Sequence, residues 1–195
     1  MPNPPRVSYS KTKSLGDIIV RSKLPPPTFR QNKRQASTGL KKCGKRLDCS
    51  VCPHSVNTST HTCNYTGENY NISSYITCNT PGVVYSLECV KSSGVCARLK
   101  GPQYVGVTQR QARVRFSEHL GSAVQPSQVD TIKPVGVHFR SPGHTHSDMR
   151  FLPIEKVRSK DRFIMEARES FWINKYKTVK TQPVDVIEYG LNLKK

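Results

Sequence analysis

"VVYSLECVKSSGVCARLKGPQYVGVTQRQARVRFSEH", residues 83–119, decides how this chain is read. GVVYSLEC, residues 82–89, is rich in β-branched and aromatic types and follows the Pro81-Gly82 break, so it predicts a strand. QYVGVT predicts a second strand, after a loop that holds Gly94 and Gly101. The period then changes. In QRQARVRFSEHL, Ala112, Phe116 and Leu120 recur every four residues, the spacing of one helical face, and Gly121 is the expected stop. Arg115 and His119 are also four apart, so they stand one turn apart on one side of this helix. They lie beside the apolar stripe and border any cleft that its buried face leaves.

Downstream, RFLPIEKV predicts a third strand, and SKDRFIMEARESFWINKYKT the longest helix, with Ser159 as its N-cap. Strand, strand, helix, strand, helix implies an α+β domain over residues 81–195. Its small three-stranded sheet, mixed or antiparallel, is flanked by helices. Glu169 falls on the stripe of Met165, Trp172 and Tyr176, where a carboxylate is costly unless paired or metal-bound. Arg162 precedes Glu166 by four and suits it as a surface partner. The same arginine lies near Glu169, so an ion pair there stays open.

Upstream the texture differs. Residues 43–80 are rich in Cys, Ser, Thr and Asn and hold little to build a large core. A small cysteine-bearing module fits them, with a strand at YNISSYITC. Residues 1–42 carry Pro25-Pro26-Pro27 and a run of Lys and Arg, which predicts a basic, largely irregular arm with one short helix capped by Ser14. The chain has 31 basic against 13 acidic residues, a net charge of +18. A surplus of that size points to a polyanion, most commonly nucleic acid. No apolar run is long enough to span a membrane, and residues 1–20 lack a signal-peptide core, so no membrane association is expected.

The ordered set VVY, YVG, RxxxH, Glu and GLN resembles the GIY-YIG endonuclease domain, in the version at the C-terminal end of Penelope-like retroelements. The resemblance covers residues 83–192 and, more loosely, the segments before them. It implies metal-dependent hydrolysis of a DNA phosphodiester, by nicking, in a retroelement-derived protein with no small-molecule substrate. Tyr85 matches the first motif tyrosine, and Tyr104 and Gly106 the second motif. Arg115 and His119 match the helix pair, Glu169 the acid that holds Mg²⁺ or Mn²⁺, and Asn192 the late asparagine. Glu166 is the alternative acid. A reverse transcriptase or its RNA is an implied partner, and an intracellular, nuclear location is expected. Two departures stand out: Gly82 sits one place early, and the interval between the motif tyrosines is long. The retroelement version carries such an insertion, with two cysteines.

Those cysteines, Cys89 and Cys96, with His138 and His144 downstream, supply two thiolates and two imidazoles, a set that suits structural Zn²⁺. His146 competes with His144. Cys43, Cys49, Cys52 and Cys78 form a possible second zinc site around the Cys49-x-x-Cys52 knuckle, with Cys63, His54 and His61 as competing ligands. Two other functions compete with the nuclease. One is a zinc-stabilised DNA-binding protein that does not cleave. The other is a secreted, disulfide-bonded protein glycosylated at Asn57, Asn64 and Asn71; the odd cysteine count and the absent signal speak against it.

Overall fold

A computed structural model describes residues 37–43, 49–98, 101–125, 133–179 and 190–193. The helix expected after Ser14 and most of the basic arm lie outside these residues. Four short strands come first: β1 (Gly39–Lys41), β2 (Thr60–Thr62), β3 (Asn69–Asn71) and β4 (Tyr75–Thr77), with a 3-10 turn at Cys52–His54. The central elements follow: β5 (Pro81–Cys89), α1 (Gly94–Arg98), β6 (Gln103–Gln111), α2 (Ala112–Val124) and α3 (Pro134–Arg140). A 3-10 turn at His146–Asp148 leads into β7 (Met149–Lys156) and α4 (Arg162–Tyr176).

The expected three-stranded sheet forms in the order β6-β5-β7, with antiparallel pairing throughout. Every residue of β5 from Val83 to Cys89 is buried, so both faces of the central strand are covered. Within that buried run Ser86 and Glu88 alternate with Tyr85, Leu87 and Cys89, and the Glu88 carboxylate accepts from Gln103 Nε2 at 2.8 Å. Tyr85 stands opposite Gly106 on β6 and Pro153 on β7. The β5–β7 register shifts between Val84 and Tyr85, an irregularity of the kind that re-aims a side chain. Pro153 is tolerated because β7 is an edge strand of this sheet.

The cysteine-rich segment covers that edge. Ser55 Oγ donates to the Phe151 carbonyl at 2.8 Å, and His54 Nδ1 lies 3.0 Å from the Met149 carbonyl. YNISSYITC makes two strands rather than one: β3 pairs antiparallel with β2, and β4 parallel with β1.

Several expected boundaries shift. β6 runs on to Gln111, so residues 109–111 are strand rather than helix. α2 passes through Gly121 and ends at Val124, because the following carbonyl-to-amide pairing, Gln125 N to Gly121 O, still closes a helical turn there. The N-cap of α4 is Asp161, not Ser159: its carboxylate accepts from the Phe163 amide at 2.7 Å, while Ser159 Oγ accepts from Asp161 one step earlier. α3, read as loop from the sequence, starts at a proline in the first helical turn, where no amide is needed. No helix among the described residues is long and apolar enough to cross a membrane.

Candidate active site and metal centres

Tyr85 is fully buried at the middle of β5, and α2 brings Arg115 and His119 to its hydroxyl. Arg115 Nε lies 2.9 Å from Tyr85 Oη, and His119 Nε2 lies 2.8 Å from the same oxygen. The guanidinium can only donate, so the tyrosine oxygen accepts there and its proton is directed to His119 Nε2. The result is a donor chain from Arg115 through Tyr85 to His119.

Burial sets the protonation states. It raises the Tyr85 pKa well above the usual phenol range, with Tyr104 adding to the rise and Arg115 opposing it. Burial first, and the Arg115 charge after it, lower His119 to about 3, so the imidazole is neutral at neutral pH and able to accept. Burial pulls Arg115 down, but its contacts with the Tyr85 oxygen and Glu118 more than offset this, and it stays charged. The Tyr104 ring lies 6.3 Å from Tyr85 and 5.7 Å from His119, which closes the aromatic side of the site.

Gly106 is required by this packing. A Cβ there would fall 2.5 Å from Tyr85 Oη and 2.8 Å from Tyr104 Cε1. Glu169 is buried on α4, and its charge acts on Tyr85, holding the phenolic proton more tightly. Glu166 is drawn to the surface instead, where Arg162 Nε donates to it at 2.8 Å.

Asn192 stands elsewhere. Its Nδ2 donates to the Val105 carbonyl at 2.7 Å, and its Oδ1 accepts from the Val105 amide at 2.9 Å. The amide thus completes the open edge of β6 between Tyr104 and Gly106, and acts as a positioning residue rather than a group in contact with the tyrosine hydroxyl. Gly190 permits this, since a Cβ there would collide with the Thr178 backbone.

Two residues of this region escaped the sequence reading. Glu118 accepts from Arg115 at 2.9 Å and pairs with Arg110 at 2.6 Å, which fixes the arginine from behind. Its place three residues after Arg115 was the available signal. Glu155 accepts from Trp172 Nε1 at 2.5 Å and from Arg168 at 2.7 Å, tying α4 to β7. No helical or strand period announces this link, because it joins a strand to the helix that follows it.

Both predicted metal-ligand groups assemble. The ligand atoms of Cys43, Cys49, Cys52 and Cys78 lie within 4.8 Å of one another, as do those of Cys89, Cys96, His138 and His144. Cys43–Cys52 and Cys49–Cys78 sulfurs are 3.3 and 3.5 Å apart. Those spacings are too long for a disulfide and close to the roughly 3.8 Å edge of a tetrahedron with Zn–S bonds of about 2.3 Å. Cys96 Sγ is 3.1 Å from His144 Nε2 and 3.7 Å from His138 Nε2. The donor sets fit a metal ion such as zinc.

The competing ligands are placed away. His146 faces His54, with ring centroids 6.2 Å apart. His61 bonds the Tyr176 hydroxyl inside a cage of Tyr70, Trp172 and Tyr176. Cys63 is buried with its sulfur toward the Tyr176 carbonyl. Burial raises the Cys49 thiol, but hydrogen bonds from the backbone at Cys52 and Val51 and from the Cys78 and Cys52 side chains together outweigh it and lower the thiol to about 7, which favours the thiolate that a metal needs.

No protein-family model, no curated protein and no solved structure matches this chain.

Proposed function

We propose that the chain is a metal-dependent DNA endonuclease of GIY-YIG type that hydrolyses a phosphodiester bond by nicking, held together by structural zinc. The observation that carries this reading is the donor chain from Arg115 through Tyr85 to His119, packed under Gly106 and within the field of Glu169. The buried Glu169 carboxylate, completed by phosphate oxygens of the substrate, suits Mg²⁺ or Mn²⁺. Such an ion, when bound, neutralises charge on the phosphate and lowers the pKa of bound water.

The side chains do the rest. Arg115 is charged and meets developing negative charge with a forked donor. Tyr85 passes its proton to the neutral His119 Nε2 only as it takes one from the attacking water, in one concerted relay, so no phenolate forms. His119, with its low proton affinity, gives the proton up again, and the leaving oxygen takes one from solvent. Tyr104 closes the aromatic side, and Glu118 holds the guanidinium in place. The net charge of +18 supplies affinity for the DNA backbone.

The test is conversion of supercoiled plasmid to open circle with Mg²⁺. Glu169→Gln is expected to abolish nicking while circular dichroism and zinc content stay unchanged. Equal nicking rates in variant and parent would overturn the assignment of the acid. Salt-sensitive binding of DNA by the parent, with no scission under any divalent ion, would leave a zinc-stabilised binding protein as the function.

A further inference from the structure

α2 presents a second basic feature on the side away from Arg115. Where it meets the cysteine-rich segment lies an open cleft of about 310 Å³, lined by Ser50, Asn79, Arg113, Val114 and Ser117 together with the thiols of Cys43 and Cys49. Among the described residues no carboxylate lines it, and the acidic groups there are the two thiols. Arg113 Nε donates to Gln111 Oε1 at 2.9 Å, which anchors the guanidinium at one edge and leaves its two amino groups without a bond among the described residues. Ser50 and Ser117 hydroxyls meet across the seam at 3.3 Å. A forked cation, two hydroxyls and a carboxamide around one concave space match the oxygens of a phosphate diester.

The position on the helix matters as much as the chemistry. At about 100° per residue, Arg113 and Arg115 flank opposite sides of the ridge that Val114 and Glu118 present to solvent. A strand crossing that ridge, about 10 Å wide, meets Arg115 on one side and the cleft on the other.

We propose that this cleft is a second phosphate subsite, which takes a backbone phosphate of the nucleic-acid strand whose scissile phosphate lies at Arg115. It rests on the nuclease reading above. The experiment is fluorescence anisotropy of a labelled DNA duplex over a salt series, with zinc content measured on every sample. The Glu169→Gln protein serves as parent, so that nothing is cut. Arg113→Gln is expected to weaken binding alike for all sequences and to reduce the slope of log K against log salt by about 0.9, the share of one phosphate. Arg113→Lys keeps the slope, and Ser117→Asp, at an exposed position, weakens binding.

An unchanged slope in Arg113→Gln overturns the subsite and leaves the nuclease reading standing. A loss of zinc in that variant with an unchanged slope also overturns it, and makes Arg113 a counter-charge to the thiolates. A parent that does not bind duplex at all overturns both readings.

Discussion

Replacing Tyr85 with Phe removes one oxygen and keeps the ring, so it isolates what that oxygen does. Its two partners, Arg115 Nε at 2.9 Å and His119 Nε2 at 2.8 Å, meet only through it. Without the relay, nicking is expected to fall by roughly 10²- to 10⁴-fold, the usual weight of a general acid or base. Plasmid nicking rates check this, with duplex affinity as the control that should change little. A variant within a fewfold of the parent rate would remove Tyr85 from the mechanism. The neighbouring glycine shows why the pattern is strict: at Gly106 even one methyl would occupy the space of the tyrosine hydroxyl. Asn192 illustrates the opposite case, a residue placed with the site by motif and found by its hydrogen bonds to serve the β6 edge.

Among the elements, α2 shows how placement depends on a partner. Its N-cap residue, Gln111, provides no side-chain cap. The first amides are satisfied from outside: Ala112 N donates to the Thr80 carbonyl at 3.0 Å, and Arg113 N to the Cys78 carbonyl at 2.7 Å. Cys78 is one of the four clustered thiols, and His54, just after Cys52, packs on Phe116 with ring centroids 5.1 Å apart. A metal held by the four cysteines would therefore fix the start of the helix that carries Arg115 and His119. Cys49→Ser is expected to lower zinc content by about one equivalent, since a structural site needs its four ligands. It should also raise hydrogen-exchange rates at the Ala112 and Arg113 amides, read by NMR or mass spectrometry. Unchanged protection at those amides after zinc loss would separate the cluster from the helix.

At the scale of the whole molecule, the buried histidines outside the metal-ligand groups contribute to the response to acid. Burial lowers His61 to about 4 and His119 to about 3, both below the ordinary 6.5. The unfolded chain therefore binds more protons than the folded one below pH 6.5. Stability is full above that pH and is lost as pH falls toward the folded values. Each histidine costs about 2 kcal/mol between pH 6.5 and 5, at about 1.4 kcal/mol per pH unit. Urea midpoints should drop accordingly over that interval, and His119→Gln, which cannot titrate, should flatten the curve. A midpoint independent of pH between 7 and 5 would contradict both burials. The seven cysteines are free, and Asn64 Nδ2 donates to the Gly101 carbonyl at 2.8 Å.

The sequence by itself determined the features that repeat over a few residues. The three strands of the sheet, the Arg115–His119 pair, Glu169 on an apolar stripe and the Glu166–Arg162 pair all follow from local periods, since backbone geometry sets which neighbours share a face. Boundaries were less legible: α2 outruns Gly121, and α3 was hidden behind a proline that begins it. Both cysteine sets were legible as residue types, but the choice of His144 over His146 and of Cys78 over Cys63 was made by packing. Only the tertiary structure brought the Tyr85 oxygen between Arg115 and His119, joined Asn192 to Val105, and opened a cleft beside Arg113. Spacing encodes the period of one element, whereas a distance between two elements depends on strand register and on which side chains fill the space between them.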